Sequence, residues 1–377
     1  MKNQRICIIG DGLAGITASL AFKNTSLDVD LYHSGFGEAK LDKRITAISE
    51  SNLAFLKQIE KKINLKLFRS CDKINLYYET NNKIFNFLNF NEDNLMHIFE
   101  NDVLKKNLIK LIKTKDINLI KKKITNINYK NSFIKINNTK RYYDLIILCL
   151  GARSDLYYNL TKDRSIKKDY KEVAITGYVN HNSKLNNPRQ YFLKQGPLAF
   201  LPFDKKKFSF VWSLDKKYYI NNTKNLKIIV ANKINELLRK KNNFKISKIF
   251  SYPIHLNLQK KYYKNNVLIL GEGLHSIHPI AGQGFNLVLR DIKKLKKLIN
   301  KNLKLGLTLK NSYLFKEFCD TRKPENVIFG LGIDLTNSFF KQNKYLDPFK
   351  EIIIKNVSKM SSLKKFSKLF SDKGFTI

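Results

Sequence analysis

The stretch RICIIGDGLAGITASLAFKNTSLDVDLYH, residues 5–33, constrains the fold of this chain more than any other segment. An apolar run, a glycine turn, a helical segment and a second apolar run predict a β-strand, an α-helix and a parallel β-strand. The glycines at the first turn have the G-x-G-x-x-G spacing, which permits a tight turn, close approach of a pyrophosphate and close packing of helix on strand. We therefore expect a bound dinucleotide, contacted by Gly10, Gly12, Leu13, Ala14 and Gly15.

One residue departs from this pattern. The second strand of such a unit usually ends in Asp or Glu, which binds the ribose hydroxyls of the dinucleotide, whereas this chain has His33. A neutral imidazole can accept one hydrogen bond, although a weaker one than a carboxylate accepts. We predict that His33 contacts the cofactor, and the alternative is a surface histidine at a strand end.

Later segments predict how the chain continues. The run YYDLIILCLGARS is another buried strand that ends in a glycine turn, and YYKNNVLILGEGLHSIHP repeats that pattern. Between them, EVAITGYVN, YFLKQGPLAFLPF and KFSFVWSL alternate as strands do, without intervening helices, which is typical of an antiparallel sheet. The predicted boundaries are 1–70, 95–170 and 258–305 for a nucleotide-binding domain, 71–94 and 171–257 for a sheet domain, and 306–377 for C-terminal helices.

Composition excludes several classes of protein. With 43% hydrophobic and 12% aromatic residues in 377, the chain has enough apolar side chains for a folded core and is unlike a disordered protein. A net charge of +39 favours contact with phosphate-bearing surfaces. The lysines are spread along the whole chain, however, so we interpret the charge as compositional bias and do not predict nucleic-acid binding.

Cysteine usage and hydropathy indicate the compartment. The cysteines at positions 7, 71, 149 and 319 lack metal-binding spacing and are predicted to be buried free thiols. No window approaches the roughly 20 apolar residues of a membrane span, and MKNQRICIIG fits a first strand rather than a signal peptide. We expect a cytoplasmic protein.

The basic stretch VSKMSSLKKFSKLF near the C-terminus predicts either peripheral contact with an anionic membrane or packing on the nucleotide-binding domain.

The segment GEGLHSIHPIAGQGFNLVLRD, residues 271–291, contains His275 and His278 three positions apart. A metal site would need further ligands, and Glu272 is the candidate nearby, so the spacing does not favour a metal. A hydrolase with a nucleophilic serine is not indicated either, because the chain has no G-x-S-x-G motif. A catalytic pair and a glycine turn that presents backbone groups to a cofactor are the other two interpretations of this segment.

This segment resembles the signature G-D/N-x-x-x-x-x-H-P-x-x-G-Q-G-x-N-x-x-x-x-D of the FAD-dependent hydroxylases of ubiquinone biosynthesis, a branch of the group A flavoprotein monooxygenases. IIGDGLAG, LDKRITAIS, GARS, GPLAFLPF and TRKPEN resemble further segments of that family, in the family's order. The resemblance implies an α/β fold, α+β overall, like that of para-hydroxybenzoate hydroxylase. It combines a discontinuous Rossmann-like FAD-binding domain, an inserted antiparallel-sheet substrate domain and C-terminal helices.

The resemblance also implies roles for individual residues. Arg44 matches an arginine near the FAD phosphates, and Gly271 with Glu272 matches a pair at the ribityl and pyrophosphate region, where the family has Asp or Asn. The implied catalytic residues are Pro279, which would lie beside the isoalloxazine ring with its carbonyl near the hydroperoxide or substrate, and His278, which would orient that turn. The alternative for His278, which we favour, is a structural histidine whose hydrogen bonds are satisfied by the protein. The turn before the next helix would present backbone N–H groups to the flavin, and its implied cofactor contacts are Gly282, Gln283, Gly284 and Asn286.

The implied reaction is hydroxylation of a polyprenylated phenol or quinol through a flavin C4a-hydroperoxide, with NAD(P)H as the reductant. The partners implied are this lipid-tailed phenol and other enzymes of quinone biosynthesis. The run from Pro197 to Phe203, with Trp212, is a candidate lining for the substrate cavity, and its alternative is an ordinary sheet core.

Other positions depart from the family pattern. Leu150 stands where the family has Asp, Tyr157 where it has Arg, and Asp102 replaces the arginine of an E-N-R segment. These changes remove polar groups that would face FAD or the reductant. Two alternatives therefore stay open: an FAD oxidoreductase of the same fold that acts on another aromatic, and a non-catalytic relative that serves as a scaffold in a quinone-synthesis complex.

Overall fold

The computed structural model describes residues 4–23, 25–36, 44–80, 83–152, 154–162, 164–181, 185–239, 244–310, 312–341, 350, 352–354 and 356. Strands in these ranges are β1 (Gln4–Ile9), β2 (Leu27–His33), β3 (Ile45–Ile48), β4 (Arg69–Glu79), β5 (Ile84–Glu100), β6 (Asn118–Lys121), β7 (Ile127–Asn128), β8 (Phe133–Ile136), β9 (Thr139–Tyr142), β10 (Leu145–Leu148), β11 (Ser165–Asn180), β12 (Arg189–Leu193), β13 (Gly196–Asp204), β14 (Lys207–Asp215), β15 (Lys245–Ile246), β16 (Phe250–Gln259), β17 (Tyr263–Lys264), β18 (Val267–Ile269) and β19 (His275–Ser276). The α-helices are α1 (Leu13–Lys23), α2 (Glu50–Ile59), α3 (Asn101–Lys113), α4 (Tyr158–Thr161), α5 (Lys216–Asn221), α6 (Leu226–Leu238), α7 (Gly284–Lys304) and α8 (Ser312–Phe340).

The first sheet has six strands in the order β17-β18-β10-β1-β2-β6. Its neighbours run parallel, except for β17 and β18. The sequence of β10 is LIIL, and all four residues are buried, as expected of a strand that is covered on both faces. The strands come from residues 4–33, 118–148 and 263–269. This order confirms the predicted α/β class and the discontinuous Rossmann-like sheet.

The second sheet has ten strands in the order β19-β16-β11-β14-β13-β12-β4-β5-β3, with β15 paired to β11. Its pairs are antiparallel apart from β12 with β4, which run parallel. A small antiparallel sheet of β7, β8 and β9 completes the set. The predicted antiparallel sheet is therefore confirmed, with one parallel pairing that local sequence patterns do not reveal.

Sheet membership differs from the predicted boundaries at several edges. The short strand β3, ITAI, pairs with β5 in the second sheet, although it lies inside the segment predicted as nucleotide-binding. Both β4 and β11 begin before the predicted limits of the sheet domain, at Arg69 and Ser165. A four-residue strand is too short to show which sheet it joins, because that depends on long-range pairing.

The expectation of strands without helices between residues 171 and 257 is wrong for one part of that range. α5 and α6 follow β14, and α6 buries Leu226, Val230 and Ile234, which are four residues apart. This helix is rich in Ile and Val, residues with strand propensity, and they obscure the helical period in the sequence.

Successive side chains along β13 and β14 point to opposite faces of the second sheet, and the two faces contact different parts of the protein. Leu198 and Trp212 lie on the face that packs against Val230 and Ile234 of α6. Leu201 lies on the opposite face, because its separation from Leu198 along the strand is odd. The structure therefore places Trp212 in an ordinary sheet core, rather than in the substrate cavity that the sequence suggested.

In the described part of the C-terminal region, α8 is helical and packs against α7. The stretch VSKMSSLKKFSKLF, residues 357–370, lies outside the described residues. So do residues 41–43 of the segment LDKRITAIS and Arg153 of the segment GARS. None of the described helices is both long and apolar enough to span a membrane.

Three cysteines are buried and Cys319 is partly exposed. Burial raises the pKa of the Cys71 thiol to about 11.

Candidate cofactor and substrate site

The glycines of the first turn differ in what surrounds them. Gly10 has a φ of 127°, and a Cβ there would lie 2.1 Å from the carbonyl oxygen of Cys149. A Cβ on Gly15 would lie 2.0 Å from the carbonyl oxygen of Gly10. By contrast, a Cβ on Gly12 would meet nothing within 4 Å. Gly10 and Gly15 are therefore required by the fold, whereas Gly12 leaves room beside the N-terminus of α1, where an anionic group is favoured.

The glycine turn at Gly271 lies next to the open space beside Gly12. A Cβ on Gly271, which has a φ of 82°, would lie 3.0 Å from the Cβ of Ala14. Next to it, Glu272 Oε1 lies 3.6 Å from a guanidinium nitrogen of Arg44, and both side chains are about half exposed. The predicted contacts at Ala14, Arg44, Gly271 and Glu272 thus lie together. An arginine suits the phosphates of a dinucleotide, and a carboxylate can accept hydrogen bonds from its hydroxyl groups.

His33 lies at the end of β2, as predicted. Its ring stacks on Phe36 with centroids 4.0 Å apart. Burial lowers the pKa of His33, and the nearby carboxylate of Asp11 opposes this shift in part. Nδ1 of His33 is buried and has no hydrogen-bond partner within the part of the chain that the structure describes. A neutral imidazole with an unused nitrogen fits a ribose hydroxyl at this position.

The turn before α7 has a similar opening. Gly282 donates its N–H to the carbonyl of Pro279 at 3.1 Å and has a φ of 61°. A Cβ on Gly284, the first residue of α7, would meet nothing within 4 Å. Oε1 of Gln283 is buried and, among the described residues, has no partner. The N-terminus of α7, which is 21 residues long, therefore faces open space, as a site for a reduced and negatively charged ring requires.

Asn286 is positioned differently from the other predicted contacts. Its Nδ2 donates to the carbonyl of Ala47 at 3.1 Å, and its Oδ1 accepts from the N–H of Ser49 at 3.0 Å and from Asn52 Nδ2 at 2.8 Å. The amide is thus engaged by the protein. Its geometry holds α7 against β3 and α2, and any contact with the cofactor stays a prediction.

His278 is fully buried and hydrogen-bonded on both ring nitrogens. Its Nε2 lies 2.8 Å from Glu172 Oε2, and its Nδ1 accepts the N–H of Ile280 at 3.3 Å. Because Nδ1 accepts, the proton lies on Nε2 and the ring is neutral. Burial alone would raise the pKa of Glu172, but hydrogen bonds from His278 and Lys341 outweigh it and hold this pKa below its usual value. These bonds fit both interpretations of His278, a histidine that orients the turn and a buried structural histidine, and its role stays a prediction.

Comparison with known proteins agrees with this geometry. Residues 146–306 match the family model described as an FAD binding domain. The chain is an FAD-dependent monooxygenase. It is 22% identical to the mitochondrial ubiquinone biosynthesis monooxygenase COQ6 of Dictyostelium discoideum, with 96% of this chain and 92% of that protein aligned. It is 27% identical to the ubiquinone hydroxylase UbiL of Rhodospirillum rubrum, over 42% of this chain and 38% of that protein.

Solved structures support the fold of this monooxygenase. The crystal structure of p-nitrophenol 4-monooxygenase PnpA from Pseudomonas putida superposes with a TM-score of 0.78 at 13% identity, and all of both chains is covered. This superposition confirms the para-hydroxybenzoate-hydroxylase-like fold. The FAD binding domain and the two relatives confirm the resemblance found in the sequence and FAD as the cofactor.

Two departures from the family pattern have a structural explanation. The phenol of Tyr157 accepts the N–H of Leu150 at 3.0 Å and donates to the carbonyl of Gly151 at 2.9 Å. A Cβ on Gly273 would lie 2.5 Å from the same oxygen. Tyr157 therefore closes the turn after β10 in this monooxygenase. Asp102 lies in the first turn of α3, where a negative charge is favoured by the helix dipole.

His275 belongs to a buried polar cluster between α7 and α8. Its Nε2 lies 2.7 Å from Asp291 Oδ2, and Arg322 donates from Nε to Asp291 Oδ1 at 2.6 Å. Arg322 also pairs with Glu325, and its NH2 group donates to Asn326 at 3.0 Å. The final Asp of the signature and the TRKPEN segment thus meet. Within the described ranges, no group of three or more His, Cys, Asp or Glu side chains could hold a metal ion.

The second sheet has an apolar face beside the turn before α7. Leu201 and Phe203 form an apolar cluster with Ala47, and Ala47 lies 3.6 Å from the place of a Cβ on Gly282. On the neighbouring strands, the buried hydroxyls of Thr176 and Ser209 lie 3.4 Å apart. Leu201 and Phe203 of the predicted run from Pro197 to Phe203 thus lie beside the turn before α7, while Leu198 and Phe200 fill the sheet core.

Proposed function

We propose that this monooxygenase hydroxylates the aromatic ring of a polyprenylated phenol or quinol in ubiquinone biosynthesis, with NAD(P)H as the reductant. One observation supports the proposal above the others: the turn from Pro279 to Gly284 adjoins both the cofactor opening and the apolar face with Leu201 and Phe203. A ring on that face would lie beside the flavin. The relatives from Dictyostelium and Rhodospirillum, a ubiquinone biosynthesis monooxygenase and a ubiquinone hydroxylase, support a ubiquinone precursor as the substrate.

FAD, when bound, supplies the redox chemistry that activates dioxygen and delivers one oxygen atom to the ring. Gly12 and the N-terminus of α1 bind its pyrophosphate, with Arg44 beside it. The backbone N–H groups at the start of α7 stabilise negative charge on the reduced ring. Leu201 and Phe203 keep the substrate face apolar and exclude water from the reaction.

We further propose that the protein acts in the cytoplasm, in peripheral contact with an anionic membrane and with other enzymes of quinone biosynthesis. The net charge of +39 supports attraction to anionic lipid headgroups, and a polyprenyl substrate partitions into the bilayer. Co-sedimentation with vesicles of phosphatidylcholine, with and without phosphatidylglycerol, tests this part. Retention only on the anionic vesicles, and its loss at high salt, is the expected result.

The reaction itself is tested with the purified protein and added FAD. We expect a yellow holoprotein whose NAD(P)H consumption requires oxygen and rises with a short-chain prenylated phenol. Mass spectrometry of the extracted phenol should show one added oxygen atom. A colourless protein that takes up no FAD, or NAD(P)H oxidation without a hydroxylated product, would contradict the proposal.

A further inference from the structure

A buried chain of hydrogen bonds joins the end of α8 to the turn before α7. Nζ of Lys341 lies 2.5 Å from Glu172 Oε1, and Asn337 donates to the same oxygen over 3.5 Å. The other oxygen of Glu172 accepts from His278 Nε2 at 2.8 Å. Nδ1 of His278 then accepts the N–H of Ile280, inside the turn. The connection therefore runs from α8, through β11, to the residues that face the flavin.

The charges along this connection depend on one another. His278 has no exposed side-chain surface and that of Glu172 is 6% exposed, whereas the Lys341 side chain is 50% exposed. With His278 neutral, Lys341 supplies the positive charge that balances the carboxylate of Glu172. A buried carboxylate without such a cation is costly. Lys341 therefore keeps Glu172 ionised, and Glu172 keeps the proton of His278 on Nε2.

We propose that Glu172 is a positioning residue for the flavin-facing turn, acting through His278. Its carboxylate fixes the orientation of the imidazole, and the imidazole fixes the N–H of Ile280 between Pro279 and Gly282. The inference rests on the proposed function only in that this turn faces FAD. It also means that a change at the end of α8 is transmitted to the cofactor.

The test compares FAD binding by E172A, H278A and the double variant, measured by flavin fluorescence and visible absorbance during titration of the full-length protein. We expect E172A to weaken FAD binding about tenfold, because His278 then loses the hydrogen-bond partner that orients its ring, and the turn is held less firmly in the geometry that faces FAD. H278A should have a similar effect. The double variant should bind FAD about as well as H278A alone, since both changes remove the same connection.

Two more variants separate positioning from general stability. K341M should reproduce part of the E172A effect on FAD affinity and on the shape of the flavin spectrum. E317Q is the matched control, because Glu317 of α8 pairs with Lys301 of α7 on the surface, at 3.4 Å. This variant should leave the FAD affinity and the flavin spectrum unchanged. Additive effects of E172A and H278A would overturn the proposal. So would a lower Tm with unchanged FAD affinity and spectrum. The titration needs no aromatic substrate, so an unexpected substrate would leave these results intact.

Discussion

At the scale of single residues, two glycines of the G-x-G-x-x-G motif have different surroundings. Gly15 is held against the carbonyl oxygen of Gly10, at a distance that no side chain permits, whereas Gly12 faces open space. The spacing of the motif identifies both residues but does not distinguish them. The structure separates a glycine that the fold needs from a glycine that has room beside it for the predicted cofactor.

Valine at these two positions should therefore give opposite results. G12V should leave the Tm of the FAD-free protein nearly unchanged and weaken FAD binding at least tenfold, because the side chain fills the space of the pyrophosphate and costs its hydrogen bonds about 1.5–3 kcal/mol. G15V should lower stability by about 1–3 kcal/mol or more through overpacking. Thermal unfolding and FAD titration of both proteins check this. G332A, in open space on α8, is the control. Loss of stability in G12V would contradict the assignment.

Leu201 provides a second test at this scale, on the substrate side. L201W should retain FAD, because Leu201 is not among the residues predicted to contact the cofactor, but its larger side chain should occupy the face where the ring binds. We expect the KM for a prenylated phenol to rise at least tenfold, the loss of roughly 1.4 kcal/mol of binding. Steady-state oxygen consumption measures this. An unchanged KM would place the substrate elsewhere, and I228F, on the exposed surface of α6, is the control.

At the scale of elements, the sequence predicted motifs better than it predicted their partners. The βαβ unit, the glycine turns and the C-terminal helices are evident, because strand and helix periods are local. The pairing of β3 with β5 and the bond from His278 to Glu172 join residues far apart in the chain, so no local pattern reveals them. The cluster around Asp291 is an intermediate case, because its members lie in two matched segments whose contact only the fold shows.

That cluster should dominate the docking of α8 on α7. Burial raises the pKa of Asp291, but Arg322 and His275 outweigh burial and hold it below its usual value. D291N leaves Arg322 buried without its main counterion, and we expect a loss of about 3–5 kcal/mol. E317Q, which breaks a surface pair between the same helices, should cost less than about 1 kcal/mol. Urea unfolding of both variants measures the difference, and equal losses would contradict a central role for Asp291.

The lowered pKa of Asp291 predicts that the stability of the protein depends on pH. The folded pKa of this carboxylate is lowered, so its contribution to stability is present above the ordinary Asp pKa of about 4 and is lost as the pH falls through the lower folded value. The wild-type protein should therefore lose stability in this acidic range, and D291N should lose less. Unfolding free energies measured along a pH series check the sign. A parallel decline in the two proteins would assign the acid sensitivity to other groups.

At the scale of the whole molecule, the cofactor opening is made of parts from both large sheets. Gly10 to Gly15 follow β1 of the parallel sheet, whereas Ala47 of β3 belongs to the ten-stranded sheet and contacts the turn at Gly282. The order of motifs along the chain predicted the two units. It could not predict that β3, encoded between two parts of the first sheet, would bring the second sheet to the turn at Gly282.

FAD should therefore protect both sheets from hydrogen exchange at once. We expect slower exchange on FAD addition at residues 10–15 and 279–284, and also at β3, because the bound cofactor suppresses opening of every element that it touches. α6 lies on the opposite face of the ten-stranded sheet and should exchange at the same rate with and without FAD. Mass spectrometry of exchanged peptides distinguishes these regions. Protection confined to residues 10–15 would mean that FAD binds the parallel sheet alone, and the substrate face beside Leu201 would then have no flavin next to it.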